Sequence, residues 1–470
     1  MLRLAVINGG LEMRNLSKLG MLAILLTCLL VWAMLIFKAV KGTPLTLYVD
    51  DNGSCSDGGS GTASQPFCTI NQAASVAVAG QTVRVASGTY AEDVTPAHSG
   101  KAGSPIIFTA APSAHVIITG KATGSNGFSI SGKRYIIIKG FTISGPVRYG
   151  ISATSGSSFL SIIGNHITRA GRSTSPSTVK PAINMAVATH SLIQNNVLDH
   201  NTSSGVCLAA GSDHNTVNHN IISFNASGYT DPSGAYHRLA PGIDVRGAVN
   251  IISNNISHDN DDSGIQFVRG ANRNVAVNNV VYHNKHYPSR QAGDHGIDVS
   301  SAPDNTVVLN TVYDNVTAGI NVEGTATGTN LANNISVNNG LPTSPRSKGD
   351  IRVTTSATRG TTIDYDQIYM ANTTGTVVTW DSVTFTSLAA LHARYPNVEA
   401  HGLQDRPHWV SPASGDFHLT ENSPAIDSGN SSAPGQLPYD QEGTRRRDDP
   451  DVHNAGAGVR AYEDRGAYEF

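Results

Sequence analysis

The segments LIQNNVLDHN (192–201), TVNHNIISFN (216–225), IISNNISHDN (251–260) and VAVNNVVYHN (275–284) each carry Asn at the fifth and tenth positions. SIIGNHITRA (161–170) precedes them; VVLNTVYDN (307–315) and LANNISVNN (331–339) follow. A first column therefore holds Asn165, Asn196, Asn220, Asn255, Asn279, Asn310 and Asn334, at spacings of 31, 24, 35, 24, 31 and 24 residues. A second, five residues on, holds Ala170, Asn201, Asn225, Asn260, Asn284, Asn315 and Asn339. Repeats of this length mark a solenoid, in which each unit buries its apolar face only against its neighbours. Stacked Asn side chains can hydrogen-bond along such a column and so satisfy buried amides.

Between the Asn pairs runs another register: GISA (150–153), AINM (182–185), GVCL (205–208), GIDV (242–245), GIQF (264–267), GIDV (296–299), GINV (319–322) and DIRV (350–353). Its second and fourth residues are apolar. A period of two turns those inward and the third residue outward. The outward row is Ser152, Asn184, Cys207, Asp244, Gln266, Asp298, Asn321 and Arg352. The expected fold is all-β: a right-handed parallel β-helix solenoid with an N-terminal capping helix and an irregular C-terminal cap. TINQAASVAVAG (69–80) supplies the helix, with Thr69 as its N-cap and Gly80 beyond its end. It would cover the open edge of the first coil.

The uneven spacing is informative. The outward residue follows the ladder Asn by 11 residues in short coils, such as Asn255 to Gln266, and by 19 or 24 in others, such as Asn279 to Asp298 and Asn220 to Asp244. The extra residues enter at one turn, just before the outward strand, and insertions on one edge of a solenoid build its binding face.

Composition agrees. Charged residues are only 14% of the chain and Gly numbers 47, a mix suited to short strands and tight turns. A net charge of −3 gives no global basic field, so nucleic acid is not an expected partner. Residues 19–37 form an uncharged apolar run with Arg14 and Lys18 before it and Lys38 and Lys41 after it. Its length suits a membrane anchor or a signal sequence, with 1–18 as the preceding region. Residues 43–470 would then lie outside the cytoplasm, secreted or tethered, most simply as a monomer. There, Cys55 and Cys68 would close the loop CSDGGSGTASQPFC as a disulfide. The solenoid spans 43–357, and the repeat fades over 358–470.

YVDDNGSC (48–55), GTASQPFCTINQAASVAVAGQTVRVASGTYAEDV (61–94), NSPAIDSGN (422–430) and DRGAYEF (464–470), taken with the ladder, resemble the pectate-lyase-like superfamily of right-handed β-helices. The coil SHDNDDSGIQF (257–267) looks most like the calcium-binding coil of family-nine pectate lyases. That resemblance implies calcium ligation by Asp261 and Asp262, with Gln266 where a last carboxylate would stand and Asp244 matching loosely. The position of the family's catalytic lysine falls on Asp298 here.

From the residues themselves, a cleft is expected over 242–300, floored by Asp244, Arg246, Gln266, Arg269 and Asp298. ASGYTDPSGAYHRLAP (226–241) would form one wall, with Tyr236 and Arg238; KHYPSRQAGDH (285–295) would form the other, with Lys285, Tyr287, Arg290 and His295. The leading expectation is a lyase for an acidic, uronate-containing polysaccharide. Abstraction of the C5 proton needs the adjacent carboxylate neutralised, by calcium or by Arg238, Arg246 and Arg290, and a base among Lys285, Arg269 and His295. A second expectation is an inverting glycoside hydrolase using Asp244 and Asp298, two rungs and so roughly 10 Å apart. A third is a surface protein that binds glycans without turnover.

Overall fold

The computed structural model describes residues 45–121, 125–145, 148–171, 180–226, 240–284, 294–340 and 349–470, together with the backbone of 229–230 and 236–237. The apolar run 19–37 lies outside the described residues. Among the described residues no helix is long and apolar enough to cross a membrane.

Short strands stack as three parallel sheets. The first runs from Thr46–Val49 to Thr362–Asp364 and the second from Gly88–Tyr90 to Gln367–Tyr369. The third runs from Phe128–Ser131 to Val378–Trp380. This is the expected all-β solenoid. Alternation places Ile162, Ile193, Val217, Ile252, Ala276, Val307, Leu331 and Ile363 in one inward column, all buried. The helix Ile70–Val76 is capped by Thr69, whose side chain accepts from the Gln72 amide, and it buries Ile70, Ala73 and Ala74 against the first coil. Cys55 and Cys68 form the disulfide.

Both Asn columns form hydrogen-bonded ladders. In the first, each Nδ2 donates to the next Oδ1 at 2.9–3.0 Å, from Asn165 to Asn334. In the second the same bond runs from Asn201 to Asn339 at 2.9–3.0 Å. Each ladder ends on a buried carboxylate: Asn334 donates to Asp366 at 2.8 Å and Asn339 to Asp350 at 2.9 Å. A third column, unread in the sequence, sits five residues before the first: Ser191, Asn215, Asn250, Asn274 and Asn305. The residue before a ladder position takes a left-handed conformation, as in His214, His219 and Phe224 (φ 58°, 52° and 53°), which turns the chain at each corner.

The glycine ahead of the outward strand has a steric cause. A Cβ on Gly264 would lie 2.3 Å from Val281 Cγ1 and 2.7 Å from Asn284 Nδ2, so a larger residue in this coil would collide with the ladder, although Ala182 and Asp350 stand at the matching position of other coils.

Beyond Val378–Trp380 the chain reverses, pairing Val383–Phe385 antiparallel, and then folds back along the flank of the second sheet. Phe417 packs on Tyr282 and Tyr313, Gln441 donates to Asn254 O, and Gly466 donates to Asn333 O. Arg446 is held without solvent contact between Glu463 and Glu469.

Candidate active site

The outward row of the third sheet is in register: Ser152, Asn184, Cys207, Asp244, Gln266, Asp298, Asn321 and Arg352 are successive Cα partners. Its central members leave the solenoid interior yet are buried, since Asp244 and Asp298 are each only 6% exposed. Polar side chains at this depth must find partners or change protonation.

Asp244 does the first. Arg246, two residues on and therefore on the same face, donates Nε and Nη2 to Asp244 Oδ2 at 3.0 and 2.9 Å. Cys207 Sγ lies 3.8 Å from the same oxygen. Asp244 Oδ1 is buried with no hydrogen-bond partner among the described residues. Burial raises its pKa above the ordinary carboxylate value, with Arg246 pulling the other way. These groups line a cleft of 270 Å³ with Ser203, Ser204, Pro241, Asp262 and Gln266. Half-buried Cys207 is thus a cleft residue, and burial beside Asp244 pushes its thiol pKa up.

Asp298 does the second. Burial pushes its pKa up to about 8, helped by the charges of Glu323 and Asp262 and opposed by a hydrogen bond from Asn321 and by Arg352. The Asn321 Nδ2 donates to Asp298 Oδ1 at 2.7 Å. Arg352 donates to Asn321 Oδ1 and, at 2.7 Å, to Glu323 Oε2. Burial works to raise the pKa of Glu323, but Arg352, with His295 and Asn321, outweighs it and holds the carboxylate below its usual range. A neutral carboxylic acid thus stands beside an ionised carboxylate at neutral pH, the separation that assigns acid and base roles.

Of the expected site residues, Asp244, Arg246, Asp262 and Gln266 line the cleft; Asp298 is the rung after Gln266, and it and His295 are buried off the lining, His295 close enough to Glu323 to lower its pKa. Arg269 sits in the exposed turn after Ile265–Phe267 and does not line the cleft. Asp261 is buried under the turn, its amide bonded to Asn225 O, and also stays off the cleft lining. Lys285, Tyr287, Arg290 and Arg238 lie outside the described residues, as does the side chain of Tyr236, whose backbone pairs antiparallel with Thr230. Glu323 was missed by sequence reasoning, although it stands two residues after Asn321 and period-two alternation puts it on the same face.

Calcium can be tested against this arrangement. The unbonded Asp244 Oδ1 suits a hard cation. However, the other oxygen is taken by a guanidinium, and among the described residues no three His, Cys, Asp or Glu side chains converge as metal ligands. Among the described residues, Asp244, Asp261, Asp262 and Gln266 do not by themselves converge as a ligand set.

A parallel solenoid with buried carboxylates on one outward row defines a β-helix protein with a polar cleft on that row. More narrowly, the family model described as the Pel9A-like, right handed beta helix region matches residues 47–349, and the chain belongs to that family. The curated protein YwoF of Bacillus subtilis (strain 168), itself uncharacterized, is 34% identical over 139 residues. That match spans 27% of this chain and 29% of YwoF, so the chain covers under a third of that relative's length. Among solved structures, pectate lyase Pel9A superposes with a TM-score of 0.55 at 18% identity, covering 90% of this chain and 96% of that one. XylC in complex with xylose gives 0.50 at 16% identity, covering 70% and 76%. At these identities the likeness is one of fold.

Proposed function

We propose that this chain is a carbohydrate-active enzyme that cleaves a uronate-containing polysaccharide by β-elimination at the outward row from Asp244 to Asp298. The observation that carries the reading is Asp298: an outward carboxyl kept protonated to about pH 8 beside ionised Glu323. In the elimination a base takes the C5 proton. The C5–H electrons form the C4–C5 double bond as the C4–O bond breaks, and the leaving oxygen takes up a proton. Asp298 supplies that proton. His295 accepts the one from C5, and the charge of Glu323 stabilises the imidazolium that results. Arg246, whose side chain is half exposed, turns from Asp244 to hold the uronate carboxylate bidentately, supplying the neutralisation that elimination needs. The fold shared with pectate lyase Pel9A supports this reading, as does membership of a family described by that enzyme.

One alternative has its own support. A neutral acid beside an ionised carboxylate also suits hydrolysis, with Asp298 protonating the leaving oxygen and Glu323 or Asp262 activating water. The location belongs to the proposal too. The Cys55–Cys68 disulfide supports export, with residues 19–37 as anchor or signal.

The test incubates the full chain with polygalacturonate, alginate and glycosaminoglycans, with calcium or with a chelator, and follows ultraviolet absorbance of the unsaturated product. New reducing ends without that absorbance identify a hydrolase. Binding with neither signal identifies a glycan-binding surface protein. Activity abolished by the chelator refutes the Arg246 role and returns the cleft to a metal.

A further inference from the structure

Charge is distributed unevenly along the solenoid. Residues 94–198 hold nine of the chain's 32 Lys and Arg and none of its 35 Asp and Glu. This stretch builds the third-sheet strands Phe128–Ser131, Ile151–Thr154 and Ile183–Met185, the rungs ahead of Cys207 and Asp244. Lys121, Arg148, Arg169 and Lys180 each fall between a second-sheet strand and the third-sheet strand after it, the edge at which the long insertions enter.

Arg148 and Lys180 stand at matching positions. Ile151 and Ile183 are Cα partners, and each cation lies three residues before its Ile. Arg148 is exposed, its guanidinium 5.2 Å from the centroid of the Tyr149 ring. Lys180 is partly buried; that burial, and then the charge of Arg148, lowers its pKa. Neither forms an ion pair among the described residues. Two neighbouring cations without a counter-charge make a local positive field that attracts anions. The outward row beside them is uncharged: Ser152 is buried and Asn184 partly exposed, with Asn184 Nδ2 donating to Ser152 Oγ at 3.3 Å. This edge is continuous with the Asp244 cleft, since Pro181, the residue after Lys180, lines that cleft. Asn184 stands two rungs from Asp244 and four from Asp298, ~10 Å and ~19 Å along the sheet.

We infer that an acidic polysaccharide in the Asp244 cleft continues over the N-terminal coils, where Arg148 and Lys180 hold the carboxylates of further uronate units. The inference rests on the reading of the substrate as a polyuronate, and not on its cleavage. Guanidinium and ammonium groups bind carboxylates through charge-assisted hydrogen bonds. A disaccharide at Asp298 is too short to cover the ~19 Å to Asn184, so the two cations select for long chains.

The experiment titrates hexagalacturonate and digalacturonate by calorimetry into the full chain carrying Asp298→Asn, which removes turnover. The hexamer should bind at least tenfold more tightly than the dimer. Arg148→Gln combined with Lys180→Gln should weaken the hexamer at least tenfold and flatten the salt dependence of its binding. Arg359→Gln combined with Arg394→Gln removes the same charge from exposed positions elsewhere and should leave the hexamer within twofold of the parent. If the Arg148 and Lys180 double variant fails to fold, Arg148→Gln alone decides, with at least a threefold loss expected. Unchanged hexamer affinity overturns the site, as does an equal loss in the charge-matched control or a hexamer bound no more tightly than the dimer. A single-stranded oligonucleotide that outbinds the hexamer through the same two residues overturns the assignment to a glycan. A parent chain that binds the hexamer through these residues yet cleaves no polyuronate leaves the site standing and counts against the cleavage reading alone.

Discussion

Replacing Asn279 by Leu tests what holds the solenoid together. The side chain is fully buried and makes four hydrogen bonds. Its Nδ2 donates to Ile252 O at 2.8 Å and to Asn310 Oδ1 at 3.0 Å; its Oδ1 accepts from Asn255 N and Nδ2, both at 3.0 Å. Leucine is close in size, so little cavity forms. The cost is an orphaned polar group. The Asn255 amide loses its acceptor, while Ile252 O keeps the sheet bond from the Val277 amide, Asn310 Oδ1 keeps the Asn279 backbone amide and Asn255 Nδ2 keeps Val217 O. At ~1–3 kcal/mol for a buried group left unpaired, the one full orphan predicts a loss of about 2 kcal/mol. Urea unfolding followed by circular dichroism reads this directly. As a control, Asn272→Ala in the neighbouring turn should stay within about 0.5 kcal/mol of the parent. A loss below about 1 kcal/mol for Asn279→Leu would refute the claim that the ladder amides have no other partners.

Four further outcomes are expected. Asp298→Asn should cut cleavage by roughly 10²–10⁴-fold by removing a positioned proton donor, and in the parent chain activity should decline as pH rises past about 8. Because burial raises the folded pKa of Asp298, the folded state holds a proton that the unfolded state releases; its contribution to stability is full below the ordinary carboxylate pKa and is lost as pH rises to about 8, a slope that thermal melts of Asp298→Asn should lack. Arg246→Ala should raise KM for polyuronates, and it should lower stability at neutral pH by leaving Asp244 without its partner; an unchanged KM would exclude Arg246 from substrate binding. Reducing Cys55–Cys68, which closes a loop with a sequence separation of 13, should lower stability by ~3 kcal/mol in the same unfolding assay.

Much of the scaffold was legible because a solenoid converts chain spacing into spatial neighbourhood. Two Asn at a five-residue interval, repeated over six coils, fixed the ladders, and period-two alternation fixed the outward row from Ser152 to Arg352. The third column escaped because it opens with Ser191 rather than Asn and has Thr329 at the matching later position. The site was legible as a region but not as chemistry. Nothing in the sequence says that Arg246 turns back onto Asp244, or that Asp298 is buried deeply enough to stay protonated, because both depend on rotamers and packing between coils. Glu323 was overlooked since the register drew attention to one outward position per strand, whereas strands of this length offer two. The fold-back of 405–470 has no repeat to announce it and rests on single contacts such as Gln441 to Asn254.

The Asn ladders have a direction. In the two long columns each amide gives to the coil after it and takes from the coil before it, and the last gift goes to Asp366 or Asp350. Such a column is modular. A coil copied whole into its middle would meet matching donors and acceptors on both sides, while a cut just before either aspartate would strand a donor in the core. Growth and loss of coils are therefore unequal events: this protein can be lengthened at many joints, but its two long ladders are closed by a carboxylate.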